Sequence, residues 1–110
     1  PIDGMSKDVF QCVQYISKHT NEPLRVNDVA NHIGKSRSYI IRKFQSELGF
    51  GISAFIMRCK LEEAKNLLTF TDKSLSEISN YLCFSSQAYF QNVFKKNYGV
   101  TPLQYRKKNT

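Results

Sequence analysis

One short stretch of this chain is written twice. Ser36-Arg37-Ser38-Tyr39-Ile40-Ile41-Arg42-Lys43-Phe44, closed by Gly49, is matched 50 residues on by Ser86-Gln87-Ala88-Tyr89-Phe90-Gln91-Asn92-Val93-Phe94, closed by Gly99. Serine, tyrosine, an apolar residue, phenylalanine and glycine keep their places across the shift. Self-similarity of this kind constrains the architecture before any single residue does, because a fold that contains a device once must contain it twice.

With 110 residues, the chain can form one ordinary domain or two very small ones sharing an interface. At 41% apolar and 13% aromatic it is globular, and its eight Phe and six Tyr can fill a small core without Trp. No apolar run reaches the length of a membrane span, and no signal-peptide stretch opens the chain. No membrane association is therefore expected, and the cytoplasm is the expected location. Pro1 as first residue fits a piece of something longer.

The net charge is +7, and its distribution is uneven. All nine acidic residues lie at or before Glu77, whereas the stretch after it carries Lys95, Lys96, Arg106, Lys107 and Lys108. Lys35, Arg37, Arg42 and Lys43 form a second acid-free basic cluster between Gly34 and Phe44. Basic charge gathered on particular elements is the footprint of a nucleic-acid binder, although a solvated basic face has the same composition. Cys12, Cys59 and Cys83 are odd in number and widely spaced, and with only His19 and His32 beside them they lack zinc-site spacing. Reduced, partly buried thiols are expected, with no metal and no cofactor.

Local signals give an all-α fold of about seven helices, with two helix-turn-helix subdomains joined by a long linker helix. A frayed start over residues 1–5 precedes a helix capped by Ser6, with Val9, Cys12, Val13 and Ile16 in one stripe. Asn21-Glu22-Pro23 is a turn. A short helix over 26–33 turns Val29, Ala30 and Ile33 inward, and its cap is ambiguous between Arg25 and Asn27. Gly34 stops it, Ser36 caps the next helix, and Gly49 ends that one near Leu48. Residues 53–69 form the linker helix, with Ala54, Phe55, Met57, Leu61, Ala64, Leu67 and Leu68 apolar. At helical rise it spans about 26 Å, enough to hold two small subdomains apart.

Ser74-Leu75-Ser76-Glu77 is a capping box that opens the second copy. Ile78, Tyr81 and Leu82 form the inner face of its short helix, and the turn at Cys83-Phe84-Ser85 is one residue longer than the first. A helix from Ser86 to Tyr98 ends at Gly99, and Thr101-Pro102 starts a last helix over 102–107. The expected division is a first subdomain over 6–50, the linker over 53–70 and a second subdomain over 74–108.

On a helical wheel, Ile40, Phe44 and Leu48 fall opposite Ser38, Arg42 and Gln45, which Ile41 flanks. Phe90, Phe94 and Tyr98 fall opposite Ala88, Asn92 and Lys95, which Gln91 flanks. These outward types suit base edges. Arg bonds guanine bidentately, Asn and Gln (Gln45, Gln87, Gln91) bond adenine, and Ala88 or Ile41 can meet a thymine methyl. Lys35, Arg37, Lys43, Lys95, Lys96 and Arg106 are the expected phosphate contacts, joined by Ser36 and Ser86 where the two helices begin. Tyr39 and Tyr89 lie at the edge of the buried face, where core packing and a phosphate contact are both open. Double-stranded DNA is the expected partner, with Arg42 the stronger base reader and the second copy leaning on Lys95 and Lys96.

The stretch Cys83-Phe84-Ser85-Ser86-Gln87-Ala88-Tyr89-Phe90-Gln91-Asn92-Val93-Phe94-Lys95-Lys96-Asn97-Tyr98-Gly99-Val100-Thr101-Pro102-Leu103-Gln104-Tyr105-Arg106 resembles the signature of the AraC/XylS family of bacterial transcription regulators. Lys60-Leu61-Glu62-Glu63-Ala64-Lys65-Asn66-Leu67-Leu68 resembles the family's linker. The resemblance covers about residues 7–107. It implies two helix-turn-helix subdomains on adjacent major-groove segments, in a regulator expected to be an activator with RNA polymerase as a further partner. It also implies a sensor or dimerisation domain N-terminal to this segment. Base contacts carried over by position are Ser38, Ile41 and Arg42, then Gln87, Ala88, Tyr89 and Asn92. Three positions depart from the pattern: Cys83 replaces a turn glycine, Asn92 a common arginine, and Lys60 the linker arginine. The first implies a tighter or differently bent second turn.

A helical protein–protein adaptor with basic faces is the competing class, and non-specific nucleic-acid binding a third. An enzyme is not expected, because no phosphate loop, carboxylate pair or nucleophile–base spacing is present.

Overall fold

The computed structural model describes residues 4–109, and every regular element among them is helical. The elements are α1 (Lys7–Lys18), α2 (Val26–Ile33), α3 (Arg37–Leu48), α4 (Ile52–Phe70), α5 (Leu75–Tyr81), α6 (Gln87–Tyr98) and α7 (Pro102–Lys108). They pack as two units. One takes the chain through Thr20 together with Leu24–Cys59, and the other takes Asn21–Pro23 together with the chain from Lys60 onward. Of the frayed start expected over 1–5, residues 1–3 lie outside the described residues, while Met5 packs against the first core.

In the first unit Val9, Cys12 and Ile16 of α1 meet Val26, Val29 and Ala30 of α2, Ile40 and Phe44 of α3, and Ile52 and Ile56 of α4. Each fully buried aliphatic or aromatic side chain there contributes roughly 1.5–3 kcal/mol. The caps decide where the helices begin. Ser6 accepts from the Val9 amide, and Ser36 from the Tyr39 amide. Arg25 stands at the α2 cap without a side-chain acceptor, so Asp28 closes that end by accepting from the Arg25 amide at 2.9 Å. The ambiguity between Arg25 and Asn27 resolves this way because an acid three residues into a helix can satisfy the cap's own N–H.

In the second unit the buried side chains are Leu61, Ala64 and Leu68 of α4, with Ile78, Leu82, Phe84, Phe90, Phe94 and Pro102. The rings of Phe90 and Phe94 pack edge to face at 5.9 Å, and Phe94 meets Tyr105 at 5.6 Å. Both halves of the Ser74 capping box form, as Ser74 accepts from the Glu77 amide and Glu77 accepts from the Ser74 amide.

Three sequence expectations need correction. Tyr81 is exposed, with Lys73 above its ring, so the inner face of α5 is Ile78, Ser79 and Leu82. Ala54 is exposed, and α4, one residue longer at each end than periodicity predicts, buries Ile52, Ile56 and Lys60 instead. Finally, the second turn is not bent differently for lack of glycine. Cys83 adopts φ 63, beside φ 78 at Gly34. The Phe84 amide donates to Ser79 O as the Lys35 amide does to Ala30 O, the same left-handed helix close in both copies. The extra residue, Ser85, falls after that close and before the Ser86 cap.

Candidate nucleic-acid interface

Burial of Ile40 and Phe44 turns the opposite face of α3 outward. Ser38, Arg42 and Gln45 are exposed there, while Ile41 is half-buried against the first core. Lys35, Ser36 and Arg37 are exposed around the start of the helix. Ser36 uses its oxygen to accept from the Tyr39 amide, which leaves its hydroxyl proton able to donate outward. The Arg37 and Ser38 amides lie in the first turn, where a helix has no internal acceptors. Each of these groups presents positive charge or a donor, as a phosphate requires.

Two candidates of α3 are partly occupied within the fold. The Lys43 ammonium pairs with Glu47 Oε2 at 3.3 Å, while Glu47 Oε1 accepts from the Ser6 amide at 2.8 Å. The Ser6 amide holds the Glu47 carboxyl below the usual carboxylate range. Tyr39 is half-buried, and its hydroxyl donates to Asp8 Oδ2 at 2.9 Å. That bond raises the Tyr39 phenol above its ordinary value. Lys35 stands 5.6 Å from the Tyr39 ring centre, which keeps its charge at the mouth of the helix.

Burial of Phe90 and Phe94 orients α6 in the same way. Gln87, Ala88, Tyr89, Asn92, Lys95 and Lys96 are exposed. Ser86 accepts from the Tyr89 amide at 3.0 Å, repeating the Ser36 cap. Gln87 donates to Gln91 Oε1 at 3.2 Å, so two amides that suit adenine are aligned along one helical turn. Tyr89 is 45% exposed, its ring beside Phe84, which separates it from its half-buried counterpart Tyr39.

Arg106 is placed differently from the other phosphate candidates. Its Nε donates to Leu68 O at 3.0 Å, and its Nη2 to Thr71 O at 3.2 Å and Leu67 O at 3.4 Å. The half-buried guanidinium thus caps the carbonyl end of α4, where a cation is favoured by the helix dipole. Sequence reasoning counted its charge and missed its acceptors. It also missed Lys60, whose burial was readable from its place one turn after Ile56 and one before Ala64. Among the described residues no cluster of three or more His, Cys, Asp or Glu could hold a metal, and no helix is long and apolar enough to cross a membrane.

Two helix-turn-helix units, each ending in an amphipathic helix with a polar and basic outer face, define a DNA-binding protein of the helix-turn-helix class. The family model described as a helix-turn-helix domain matches residues 29–108, and the chain belongs to the AraC/XylS family of such domains. It is 40% identical over 102 residues to the xylose operon regulatory protein of Escherichia coli K12, covering 93% of this chain and 26% of that protein. The C-terminal domain of AraT, a response regulator from Geobacillus stearothermophilus, has the same fold, with a TM-score of 0.88 and 33% identity over 94% of this chain and 87% of that one. The xylose-binding transcription activator xylR also aligns with a TM-score of 0.88, at 37% identity, over 100% of this chain and 29% of that one. The chain spans about a quarter of the length of the first curated relative. The activity of this domain is DNA binding in transcription regulation.

Proposed function

We propose that α3 and α6 each enter a major groove and read base edges, which makes the binding sequence-specific. The observation that carries this is the duplicated exposure. In both units a buried isoleucine–phenylalanine or phenylalanine–phenylalanine pair turns outward a face free of acidic residues, beginning at a serine cap. Ser38, Ile41, Arg42 and Gln45 are the base readers of α3, and Gln87, Ala88, Tyr89 and Asn92 those of α6. Lys35, Ser36, Arg37, Lys43, Ser86, Lys95 and Lys96 contact phosphates. Arg106 leaves this set, because its guanidinium serves α4. Arg42 is the stronger base reader, because bidentate bonding to guanine supplies roughly 1–3 kcal/mol of discrimination.

In the intact protein this domain works with a sensor or dimerisation domain N-terminal to it. The relatives' greater length supports that reading. The regulator acts as an activator in the bacterial cytoplasm, with RNA polymerase as a partner. The naming of one solved relative as a transcription activator supports this.

Selection of bound duplexes from random DNA, with this domain alone, tests the reading. Two short conserved motifs are expected. Recovery of sequences with no common motif would sink specific reading and leave backbone binding alone.

A further inference from the structure

Lys60 lies on the apolar stripe of α4 and is only 7% exposed. Its ammonium donates to Leu82 O and to Glu22 O, each at 2.8 Å. A buried ammonium is tolerated where such carbonyls replace its water. Leu82 is the C-cap of α5, where outward carbonyls lack helical partners and a cation is favoured.

The residues that follow Leu82 lead directly into α6. Cys83 holds φ 63, a left-handed conformation that glycine adopts freely and other residues resist. Its thiol donates to Asn21 O at 3.6 Å. Phe84 then packs on Phe90 of α6 at 5.0 Å between ring centres. One ammonium therefore joins the 21–23 segment to the turn that delivers α6. The first unit makes the equivalent turn with Gly34, which needs no such restraint.

We propose that Lys60 is a positioning residue for base reading by α6: by holding the Leu82 and Glu22 carbonyls together it fixes the glycine-free turn and so the aim of that helix. This rests on the reading of α6 as a base-reading helix. Lys60 touches no base itself. Its effect is confined to the second unit, because both carbonyls and the turn belong there.

The test uses the whole chain and a duplex obtained by selection. Gln87→Ala and Asn92→Ala first mark the base pairs that depend on α6, and Arg42→Ala those that depend on α3. Affinity is then measured for the selected duplex and for duplexes altered at either set. In Lys60→Met, discrimination at the α6 pairs should fall roughly tenfold, about the worth of one bidentate contact. Discrimination at the α3 pairs should stay within twofold, and Lys60→Arg should restore the α6 preference. Lys60→Gln, which keeps an uncharged N–H donor group, decides the matter if Lys60→Met does not fold; its discrimination should fall severalfold at the α6 pairs and stay within twofold of wild type at the α3 pairs. Unchanged discrimination at the α6 pairs, or equal loss at both sets, overturns the role of Lys60. If neither Gln87→Ala nor Asn92→Ala alters the preference at any base pair, the reading of α6 is overturned instead.

Discussion

The Tyr39 hydroxyl donates to Asp8 Oδ2 at 2.9 Å and so pins the start of α3 to α1, whereas Tyr89, its counterpart in the repeat, stands exposed. The same residue type at the same register is a strut in one unit and a surface group in the other. Tyr39→Phe should therefore lower the melting temperature, and Tyr89→Phe should not. The bond to Asp8 raises the Tyr39 phenol above 10.0. Its stabilising effect is thus complete below pH 10 and is lost as pH rises through the raised value. Difference titration of wild type against Tyr39→Phe should show that the lost phenol titrates above its ordinary value; a lost component at the ordinary value would contradict the strut.

Arg42 and Lys95 separate base reading from backbone attraction. Arg42→Ala should cost about 1–3 kcal/mol on a selected duplex and much less on random DNA. Lys95→Ala should weaken both alike and reduce the salt slope by about one. Fluorescence anisotropy across a salt series reads both quantities. Equal losses on specific and random DNA for Arg42→Ala would remove it from the base readers.

Arg106→Met is expected to act on stability and to leave the salt slope unchanged. Its loss strips a donor from the Leu67, Leu68 and Thr71 carbonyls. A buried carbonyl left unsatisfied costs about 1–3 kcal/mol. Urea unfolding checks the first effect and anisotropy the second. A reduced salt slope with unaltered stability would return Arg106 to the phosphate contacts.

The two carboxylates held below their ordinary value, Glu47 and Glu77, set the acid limit. The Ser6 amide lowers the Glu47 carboxyl below 4.5, and the Ser74 amide does the same for Glu77. A carboxyl with a depressed folded value stabilises fully above its unfolded value and loses that contribution as pH falls through the lower one. Stability should hold down to about pH 4.5 and decline below it. In Glu77→Gln the decline should be shallower, as thermal melts between pH 2 and pH 6 would show.

The thiols should divide by exposure. Cys12 is fully buried, and burial pushes it up to about 11, so it stays protonated. Cys83 is exposed. A maleimide added to the folded protein should label Cys83 rapidly and Cys12 only after unfolding. Equal labelling of Cys12 in the folded state would mean that the first core opens readily.

Most of the fold was legible because its signals are local. Ser36 and Ser86 caps, the Ser74–Glu77 box and the Gly34, Gly49 and Gly99 stops all act within one turn of helix. The buried faces of α3 and α6 followed from periodicity for the same reason. The errors fall where a long side chain chooses between water and a distant carbonyl. Arg106 and Lys60 look like surface charge, yet each finds acceptors more than 20 residues away. Cys83 misleads in another way, because side-chain identity states a preference for backbone angle and the surrounding turn overrides it. The outward face of each long helix could be read as a set of residues. Its use of Lys43, paired with Glu47, and Tyr39, bonded to Asp8, depended on neighbours that no helical wheel displays.

The 21–23 segment belongs by packing to the unit that begins 37 positions later, at Lys60. The two halves are therefore interlaced along the chain, and no single cut yields both whole. A fragment starting at Lys60 would carry the ammonium without the Glu22 carbonyl that it binds, and a fragment ending at Cys59 would carry that carbonyl with no ammonium to meet it. The repeat was written twice in sequence, but its two copies cannot be excised as two contiguous pieces.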